Sequence, residues 1–271
     1  MIQYLLKKLK IMRIRFCVVY KPVGTLAISK EEIVNKLNEL GLIYDEIDPD
    51  LVICLGGDGT FLRAFHLYEK SNALFIGINE GNLGFLCDFS IDELDRLYQL
   101  IENNDFSNIK EYRLLELKGL DKPIFALNEL RIESNDGGTI SFHVLINNEY
   151  LEKLTADGIC FSTSIGSSGI NKNLGGACIS PNLEIIQITE KTPMNNKFYS
   201  SLRSSLVLNK DSKIVLSNIS KKRFFIHYDN KSISVIDFKD DLEVFLSNKK
   251  ISVLKNTNLD YINKLNDAFI K

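Results

Sequence analysis

Near the start of the chain, short runs of β-type apolar residues alternate with segments that have helical spacing. The runs are Ile14–Tyr20, Leu51–Leu55 and Leu74–Asn79. Two capping-box patterns, Ser29 with Glu32 and Ser90 with Glu93, predict helix starts after the first and third runs. A further helical pattern, Phe61–Tyr68, follows the second run. Because alternating strands and helices form parallel sheets, residues 1–108 are predicted to be a Rossmann-like α/β domain.

From about Tyr112 the pattern changes to short strands separated by turn residues, with few helices between them. The predicted strands are Pro123–Glu133, Thr139–Ile146, Leu183–Ile188, Ile214–Leu216, Phe224–Tyr228, Ser232–Ile236, Leu242–Leu246 and Ile251–Leu254. This pattern predicts a mostly antiparallel β-sandwich domain over residues 109–255. The last segment, 256–271, has helical spacing over Asn258–Ile270, and this C-terminal helix is predicted to pack back on the first domain.

Composition agrees with a two-domain globular protein and excludes several classes. The chain has 271 residues, of which 45% are hydrophobic and 25% charged, an ordinary globular balance. Its net charge of -2 gives no electrostatic reason to expect a nucleic-acid partner. No apolar run has the length of a membrane span, and lysines and arginines interrupt the N-terminal apolar stretch, so neither a membrane nor secretion is predicted. We expect a cytoplasmic protein, and Met12 is a candidate for an alternative start.

The five cysteines predict neither disulfides nor a metal centre. They are odd in number and widely spread, without a Cys-x-x-Cys pair or a histidine at zinc spacing: Cys17, Cys54, Cys87, Cys160 and Cys178. Buried, reduced thiols are the simpler interpretation.

Residues 56–60, Gly-Gly-Asp-Gly-Thr, lie directly after a predicted buried strand and before a predicted helix. Open α/β sheets bind ligands at this edge, and glycines there let backbone N–H groups approach a phosphate. A carboxylate, Asp58, is unfavourable beside an anion unless it acts as a base or holds a cation such as Mg²⁺. A simple glycine turn with a capping Asp is the alternative, and five such residues in this context make it the weaker one. No Walker A pattern is present.

These residues carry a family resemblance. The segment 56–60 is similar to the signature of NAD kinases, of diacylglycerol and sphingosine kinases and, more distantly, of phosphofructokinases. Three further blocks, Gly77–Asp88, Ala126–Glu129 and Asp157–Pro181, resemble NAD-kinase motifs in order and spacing. Thr189–Asn196 resembles the small bacterial members. Taken together, these blocks resemble the NAD kinase family, and the resemblance implies ATP or polyphosphate as the phosphoryl donor.

The resemblance implies a role for each matched residue. Asp58 would be the base that activates the ribose 2′-hydroxyl, and Mg²⁺ or another divalent metal would arrive with the donor nucleotide. The donor phosphates would lie in the cradle of Gly56, Gly57, Gly59 and Thr60, with Gly59 also contacting the substrate. The residues implied to bind NAD are Asn128, Glu129, Thr155, Asp157, Ser168, Gly169, Ile170, Asn171, Lys172, Asn173 and Thr192. Thr192 would complete the pocket from a neighbouring subunit, in a homodimer or homotetramer.

Alternatives remain open from the residues alone. An isolated Asn128-Glu129 pair is typical of a β-hairpin turn. Ser168 replaces a threonine of the family pattern and keeps its hydroxyl, whereas Ile170 replaces an aromatic ring and forfeits about 1 kcal/mol of stacking. A second departure is Asp229-Asn230, where the family has Asp-Gly or Asp-His. Two hypotheses compete with the NAD kinase: a lipid kinase of the diacylglycerol type, which shares the 56–60 signature, and a catalytically weak NAD-binding module, which the altered loop suggests.

Overall fold

The computed structural model describes residues 14–21, 28–79, 84–256 and 261–271. They form two compact units. The first contains the described residues up to Tyr112 together with those from Ile251 onward, and the second is Arg113–Lys250. The predicted fold class is confirmed: an α/β unit, a mostly antiparallel β unit and a C-terminal helix. The question of a start at Met12 lies outside the described residues.

The first unit is a parallel sheet with helices. Its strands are β1 (Arg15–Tyr20), β2 (Ile43–Tyr44), β3 (Leu51–Leu55), β4 (Leu74–Asn79) and β5 (Phe89–Ser90). Its helices are α1 (Lys30–Glu39), α2 (Asp58–Tyr68), α3 (Leu94–Glu102) and α5 (Tyr261–Phe269). The sheet order is β2-β1-β3-β4, and all of these pairs are parallel. Every residue of β3 and β4 is buried, as expected for parallel strands that are covered on both faces.

Two helix starts of the first unit follow from local side-chain bonds. The Ser29 hydroxyl accepts from the Glu32 N–H over 3.1 Å, and the Glu32 carboxylate accepts from the Ser29 N–H over 2.7 Å. The same reciprocal box joins Ser90 and Glu93, which open a short 3-10 turn that leads into α3. Both predicted capping boxes are therefore present, and each satisfies N–H groups that a helix start leaves without partners.

The second unit consists mainly of antiparallel strands. They are β6 (Ile109–Lys118), β7 (Ile124–Ala126), β8 (Glu129–Ser134), β9 (Ile140–Ile146), β10 (Glu149–Ser162), β11 (Ile185–Pro193), β12 (Leu206–Asn209), β13 (Lys213–Ser217), β14 (Phe224–Tyr228), β15 (Lys231–Val235) and β16 (Leu242–Leu254), with β6 and β16 extending into the first unit at one end. Strand β10 is central, because it pairs with β8, β9 and β11. One apolar cluster, which includes Phe142, Phe161 and Phe224, fills the core. One short helix, α4 (Ile170–Asn173), lies between β10 and β11.

Four features of this unit differ from the sequence prediction. Strands β6, β10 and β12 were not predicted, because charged or polar residues interrupt or flank their apolar positions. Pro123–Glu133 is two strands, since the chain bends at residues 127–128. Leu242–Leu246 and Ile251–Leu254 are parts of one strand, which continues through the polar residues 247–250. The strand predicted over Leu183–Ile188 is displaced along the chain, because β11 begins at Ile185 and extends to Pro193.

The C-terminal helix α5 belongs to the first unit. The sequence predicted it over residues 258–270, and the structure has Tyr261–Phe269, with residues 257–260 outside the described ranges. Within the described ranges, no helix is long and apolar enough to cross a membrane.

Candidate functional site

The glycine-rich loop 56–60 joins strand β3 to helix α2. Gly57 caps the helix, which begins at Asp58. Gly56 has φ +139°, a backbone region that side chains rarely adopt, and a Cβ there would lie 2.7 Å from the Thr60 hydroxyl oxygen. Only glycine therefore fits at the turn. The loop delivers the positive end of an 11-residue helix to the carboxyl end of a parallel strand, which favours a phosphate.

Asp58 is fixed by a second segment of the same unit. Its two carboxylate oxygens accept from the backbone N–H groups of Phe85, over 2.9 Å, and Leu86, over 3.0 Å. A Cβ on Gly84 would lie 2.4 Å from Asp58 Oδ1, so this close approach requires glycine. Each carboxylate oxygen keeps a further lone pair, because an ionised carboxylate offers about four acceptor positions. The side chain is thus oriented and still able to accept a proton.

The 56–60 loop and the Gly84–Asp88 segment also contact each other through Cys87. The thiol of Cys87 donates to the Gly56 carbonyl oxygen over 3.3 Å. A Cβ on Gly77 would lie 2.7 Å from the Cys87 Cα, so strand β4 passes directly against this residue. Burial raises the pKa of the Cys87 thiol, which keeps it neutral and makes it a packing group.

In the second unit, Asn128 and Glu129 lie at a bend that the structure fixes through Asp229. The Asp229 carboxylate accepts from the backbone N–H groups of Leu127, Asn128 and Glu129, over 2.9, 2.7 and 3.4 Å. The Asp229 N–H donates in return to the Glu129 carbonyl. Strand β7 before the bend pairs with β6, and β8 after it pairs with β10 and β14. The bend is therefore not a β-hairpin turn.

The side chains at this bend have unusual electrostatics. Burial, and next the negative charge of Asp229, raise the pKa of Glu129 to about 8, while Arg131 acts in the opposite direction. Glu129 is therefore mainly a neutral carboxyl at pH 7. The side-chain oxygen of Asn128 is buried and has no hydrogen-bond partner among the described residues. A buried acceptor of this kind is costly unless a ligand supplies a donor.

The loop after β10 lies on the Asn128 bend. Gly166 has no room for a side chain, because a Cβ would lie 2.1 Å from the Asn128 carbonyl oxygen. The Thr163 hydroxyl donates to the Leu127 carbonyl over 2.8 Å and accepts from the Gly166 N–H over 3.1 Å. A Cβ on Gly169 would lie 3.8 Å from Glu129 Oε2, so the loop reaches the carboxyl group.

The predicted NAD-binding residues of this loop fall into two groups. Asn171 is completely buried: its amide nitrogen donates to the Ser167 and Ala177 carbonyls, and its oxygen accepts from the Thr189 hydroxyl over 2.8 Å. Its polar atoms brace the loop, so its predicted contact with substrate has no support in this geometry. The other group remains at least partly exposed: Ser168, Gly169, Ile170, Lys172 and Asn173.

Thr155, Asp157 and Thr192 lie on the neighbouring strands β10 and β11. The Thr155 hydroxyl is within 2.7 Å of the Ser141 hydroxyl. In the antiparallel pair of β10 and β11, Ala156 is opposite Pro193 and Gly158 is opposite Lys191. Asp157 and Thr192 are therefore opposite each other on the two strands. Thr192 has φ +49°, an uncommon conformation for a β-branched residue. Such strain is found where a chain must present a side chain in a fixed direction.

The structure therefore groups the predicted residues by unit. Residues 56–60 form one constellation in the first unit. Asn128, Glu129 and the partly exposed loop residues form another in the second, and Thr155, Asp157 and Thr192 lie beside one another on β10 and β11 of that unit. Asp229 and Thr163 were not predicted as site residues. Asp229-Asn230 stands out in the sequence only as a departure from the family pattern, and in the structure Asp229 lies at a turn with φ +50°.

The three histidines lie outside these groups of residues. The His66 side chain is buried beside Glu69, and His143 lies within hydrogen-bond distance of Asn218. Burial, and next Arg131, lower the pKa of His227, so it is mainly neutral at pH 7. In the described part of the chain, no three His, Cys, Asp or Glu side chains are grouped closely enough to hold a metal ion.

Comparison with known proteins gives one consistent result. Residues 30–106 match the ATP-NAD kinase N-terminal domain, and residues 127–256 match the ATP-NAD kinase C-terminal domain. The chain is 38% identical to NAD kinase 1 of Oceanobacillus iheyensis over 242 residues, which are 86% of this chain and 90% of that protein. It is 33% identical to the NAD kinase of Staphylococcus aureus over 249 residues, which are 89% of this chain and 92% of that protein.

Two solved structures share the fold. An NAD kinase from Archaeoglobus fulgidus in complex with ATP superposes with a TM-score of 0.77 at 23% identity, over 93% of this chain and 99% of that one. Yeast NADH kinase complexed with NADH superposes with a TM-score of 0.78 at 21% identity, over 96% of this chain and 89% of that one. Two domain matches in order and relatives at 33–38% identity over most of their length lead to one conclusion: the chain belongs to the NAD kinase family.

Proposed function

We propose that this protein transfers the γ-phosphoryl group of ATP to the 2′-hydroxyl of the adenosine ribose of NAD, giving NADP. The observation that carries the proposal is the position of Asp58, an oriented carboxylate at the start of helix α2. Family membership supports the reaction class. A binding protein has no need for a base beside a phosphate cradle.

Asp58 is proposed to take the proton of the 2′-hydroxyl. As the proton leaves, the hydroxyl oxygen forms a bond to the γ-phosphorus, and the bond between that phosphorus and the bridging oxygen of ADP breaks. The backbone N–H groups of Phe85 and Leu86, which donate to the Asp58 carboxylate, fix the direction of its remaining lone pairs. Gly56, Gly57, Gly59 and Thr60 would hold the donor phosphates against the N-terminus of α2.

The second unit is proposed to bind NAD. The unpartnered oxygen of Asn128 would accept from an amino group on the edge of a base, and Glu129 would bond to ribose hydroxyls. Ser168, Gly169, Ile170, Lys172 and Asn173 would line the pocket, with Asn171 bracing them from inside. Thr155 and Asp157 would bind from strand β10. Thr192, on β11, would complete the pocket from a neighbouring subunit, and its strained backbone, which fixes the direction of its side chain, supports this assignment.

Mg²⁺ is proposed to enter bound to the donor nucleotide. Mg²⁺ usually keeps several waters and is held by substrate phosphates with one or two carboxylates. The free lone pairs of Asp58 fit a ligand of that kind. When bound, the ion would neutralise charge on the donor phosphates; Asp58 and the glycine loop would orient the reacting groups.

ATP is the proposed donor because the fold is shared with a kinase that was crystallised with ATP. Inorganic polyphosphate is a second donor that the same cradle could accept, since it presents a similar terminal phosphate. The lipid kinase and the weak NAD-binding module are not favoured, because the family matches cover both parts of the chain.

A cytoplasmic homo-oligomer is proposed. The five cysteines are free, and four of them are buried, which suits a reducing compartment. Phe198, Tyr199 and Leu202 are exposed on the segment after β11, with Phe198 83% accessible. A cluster of exposed apolar side chains is typical of an interface, and a second copy of the chain would cover it. Light scattering coupled to size-exclusion chromatography distinguishes a dimer or tetramer from a monomer.

The reaction is tested by the identity of its product. Purified protein is incubated with NAD and Mg·ATP, or with NAD and polyphosphate, and NADP is measured with an NADP-specific dehydrogenase. We expect NADP with ATP as donor. NAD binding by calorimetry without product from either donor would contradict the proposal and favour the binding module.

A further inference from the structure

The C-terminal helix α5 places a lysine in the interior of the first unit. Lys264 is only 4% exposed. Its ammonium donates to the Asp88 carboxylate and, over 3.2 Å, to the carbonyl oxygen of Phe85. Lysine is rarely buried to this extent unless its charge is paired and its hydrogens are bonded. These two partners therefore fix the position of the ammonium.

Aromatic contacts also join helix α5 to Phe85. The Phe85 ring stacks on Phe269 with centroids 5.9 Å apart and meets Tyr261 edge-on at 6.2 Å. Stacked and edge-on ring pairs of this geometry stabilise beyond the area that they bury. Helix α5 thus holds Phe85 through its ring and through its carbonyl.

Phe85 is also one of the two residues that orient Asp58. Its N–H donates to Asp58 Oδ2 over 2.9 Å, while its carbonyl accepts from Lys264. Leu86, the next residue, donates to Asp58 Oδ1. A single residue therefore connects the buried ammonium of the last helix to the carboxylate after strand β3, 206 positions earlier in the chain.

Asp88 does not depend on Lys264 for a counter-charge. Lys255 donates to the same Asp88 oxygen over 2.7 Å, and the Asn256 N–H reaches the other oxygen over 3.3 Å. If Lys264 served only to neutralise Asp88, Lys255 would already suffice. The bond that Lys264 makes and Lys255 does not make is the one to Phe85.

We propose that Lys264 is a positioning residue for phosphoryl transfer: it holds the Phe85 carbonyl so that the N–H groups of Phe85 and Leu86 point at Asp58. The inference rests on the proposed role of Asp58 as the base. Without the hydrogen bond from Lys264 to the Phe85 carbonyl, the N–H groups of Phe85 and Leu86 lose their fixed direction. The Asp58 carboxylate then turns away from the 2′-hydroxyl whose proton it takes. The effect falls on turnover, because the residues proposed to bind NAD, apart from Gly59, lie in the second unit.

The test compares full-length variants in one assay. Turnover, KM for NAD and the thermal unfolding midpoint are measured for wild type, Lys264→Met, Lys264→Arg, Lys255→Met and Asp58→Asn. Methionine keeps the apolar length of the side chain and removes the ammonium, and arginine restores a donor. Lys271→Met is the matched control, since Lys271 follows the same helix, is exposed and pairs only with Asp267 among the interactions described for its side chain.

We expect Lys264→Met to lower kcat by on the order of 10- to 100-fold with KM for NAD unchanged within about twofold, since misplacement by an ångström has effects of this size. Lys264→Arg recovers part of the loss, Lys255→Met loses less, and Lys271→Met equals wild type. Wild-type kcat in Lys264→Met, or an equal loss in Lys255→Met, overturns the inference. Full turnover in Asp58→Asn refutes the role of Asp58 instead.

A second variant covers the case in which Lys264→Met does not fold. Phe269→Ala removes the ring that stacks on Phe85, at a site 41% exposed, and leaves Lys264 in place. We expect a smaller kcat with unchanged KM for NAD. An unchanged kcat in a folded Phe269→Ala protein, as judged by a cooperative thermal transition, contradicts the positioning role of α5.

Discussion

The raised pKa of Glu129 predicts that NAD binding strengthens as pH rises from 7 to 9. Burial and the nearby charge of Asp229 set this pKa at about 8. A charged carboxylate accepts a hydrogen bond from a ribose hydroxyl more strongly than a neutral carboxyl does. Binding should therefore favour the ionised form and release a proton below pH 8.

The magnitude follows from the ionised fraction. One pH unit below its pKa, a carboxyl is about one-tenth ionised, and one unit above it about nine-tenths. Apparent affinity scales with the fraction of the competent form, so the dissociation constant for NAD should fall roughly tenfold between pH 7 and 9. Glu129→Gln stays neutral throughout and should bind more weakly at pH 9, with no such trend.

The same pKa has a consequence for stability. The pKa of Glu129 is higher in the folded state, about 8, than the ordinary 4.5. The folded state therefore holds the proton more tightly, and the resulting stabilisation is complete below about pH 4.5 and is lost as pH rises through 8. Glu129→Gln cannot ionise, so we expect it to unfold at a higher temperature than wild type at pH 8.5 and with little difference at pH 5.

Titration calorimetry with NAD across pH 6.5–9.5 tests the binding trend, and repeating it in buffers of different ionisation enthalpy counts the released protons. Glu149→Gln, an exposed carboxylate at the start of β10, is the matched control and should behave as wild type. Equal pH dependence in wild type and Glu129→Gln would refute the role of Glu129. So would weaker wild-type binding at pH 9 than at pH 7.

Three further substitutions test the second unit. Ile170→Tyr should tighten NAD binding by about 1 kcal/mol, roughly fivefold, if a ring stacks there; unchanged affinity in calorimetry would mean that the pocket is filled differently. Gly166→Ala places a methyl group 2.1 Å from the Asn128 carbonyl and should destabilise by about 1–3 kcal/mol in denaturant unfolding and weaken NAD binding; a neutral outcome contradicts the packing. Asp229→Asn keeps an acceptor and tolerates φ +50°, so the variant should fold. Loss of the like charge should lower the pKa of Glu129, and the midpoint of the pH dependence of NAD binding should therefore fall below pH 8. An unchanged midpoint would exclude Asp229 as a cause of the raised pKa.

Local pattern predicted the first unit well. The alternation of fully apolar runs with capping boxes corresponds to single strands and helices, because each signal is contained within a few residues. Ser29 and Glu32 bond to each other as their spacing predicts. The glycine loop also followed from its context, since a buried strand directly before it and a helix directly after it leave little freedom.

The second unit was harder to predict because several of its strands are stabilised by pairing with distant strands and not by local sequence preference. Strand β10 begins with Glu149 and Lys153 on exposed positions and contains an Asp157-Gly158 pair that normally indicates a turn. Three neighbouring strands supply the pairing that overrides these local preferences. The same holds for β16, which passes without a break through the polar residues 247–250.

The supports of the candidate site could not be read from spacing. Asp229 fixes a bend about one hundred residues earlier, and Lys264 reaches Phe85 from the other end of the chain. Neither bond leaves a periodic signal. The buried side chain of Asn171 shows the converse: a residue inside a matched motif can serve the loop that carries it.

The most direct test of the central claim is a paired measurement on Asp58→Asn. NADP formation from NAD and Mg·ATP is measured beside the NAD dissociation constant, for wild type and variant. Asparagine keeps the size of the side chain and removes its capacity as a base. We expect turnover to fall by at least about 100-fold while the dissociation constant changes less than about threefold, as for a group that acts in the transition state. Turnover near wild type, or equal losses of turnover and binding, would contradict the role of Asp58.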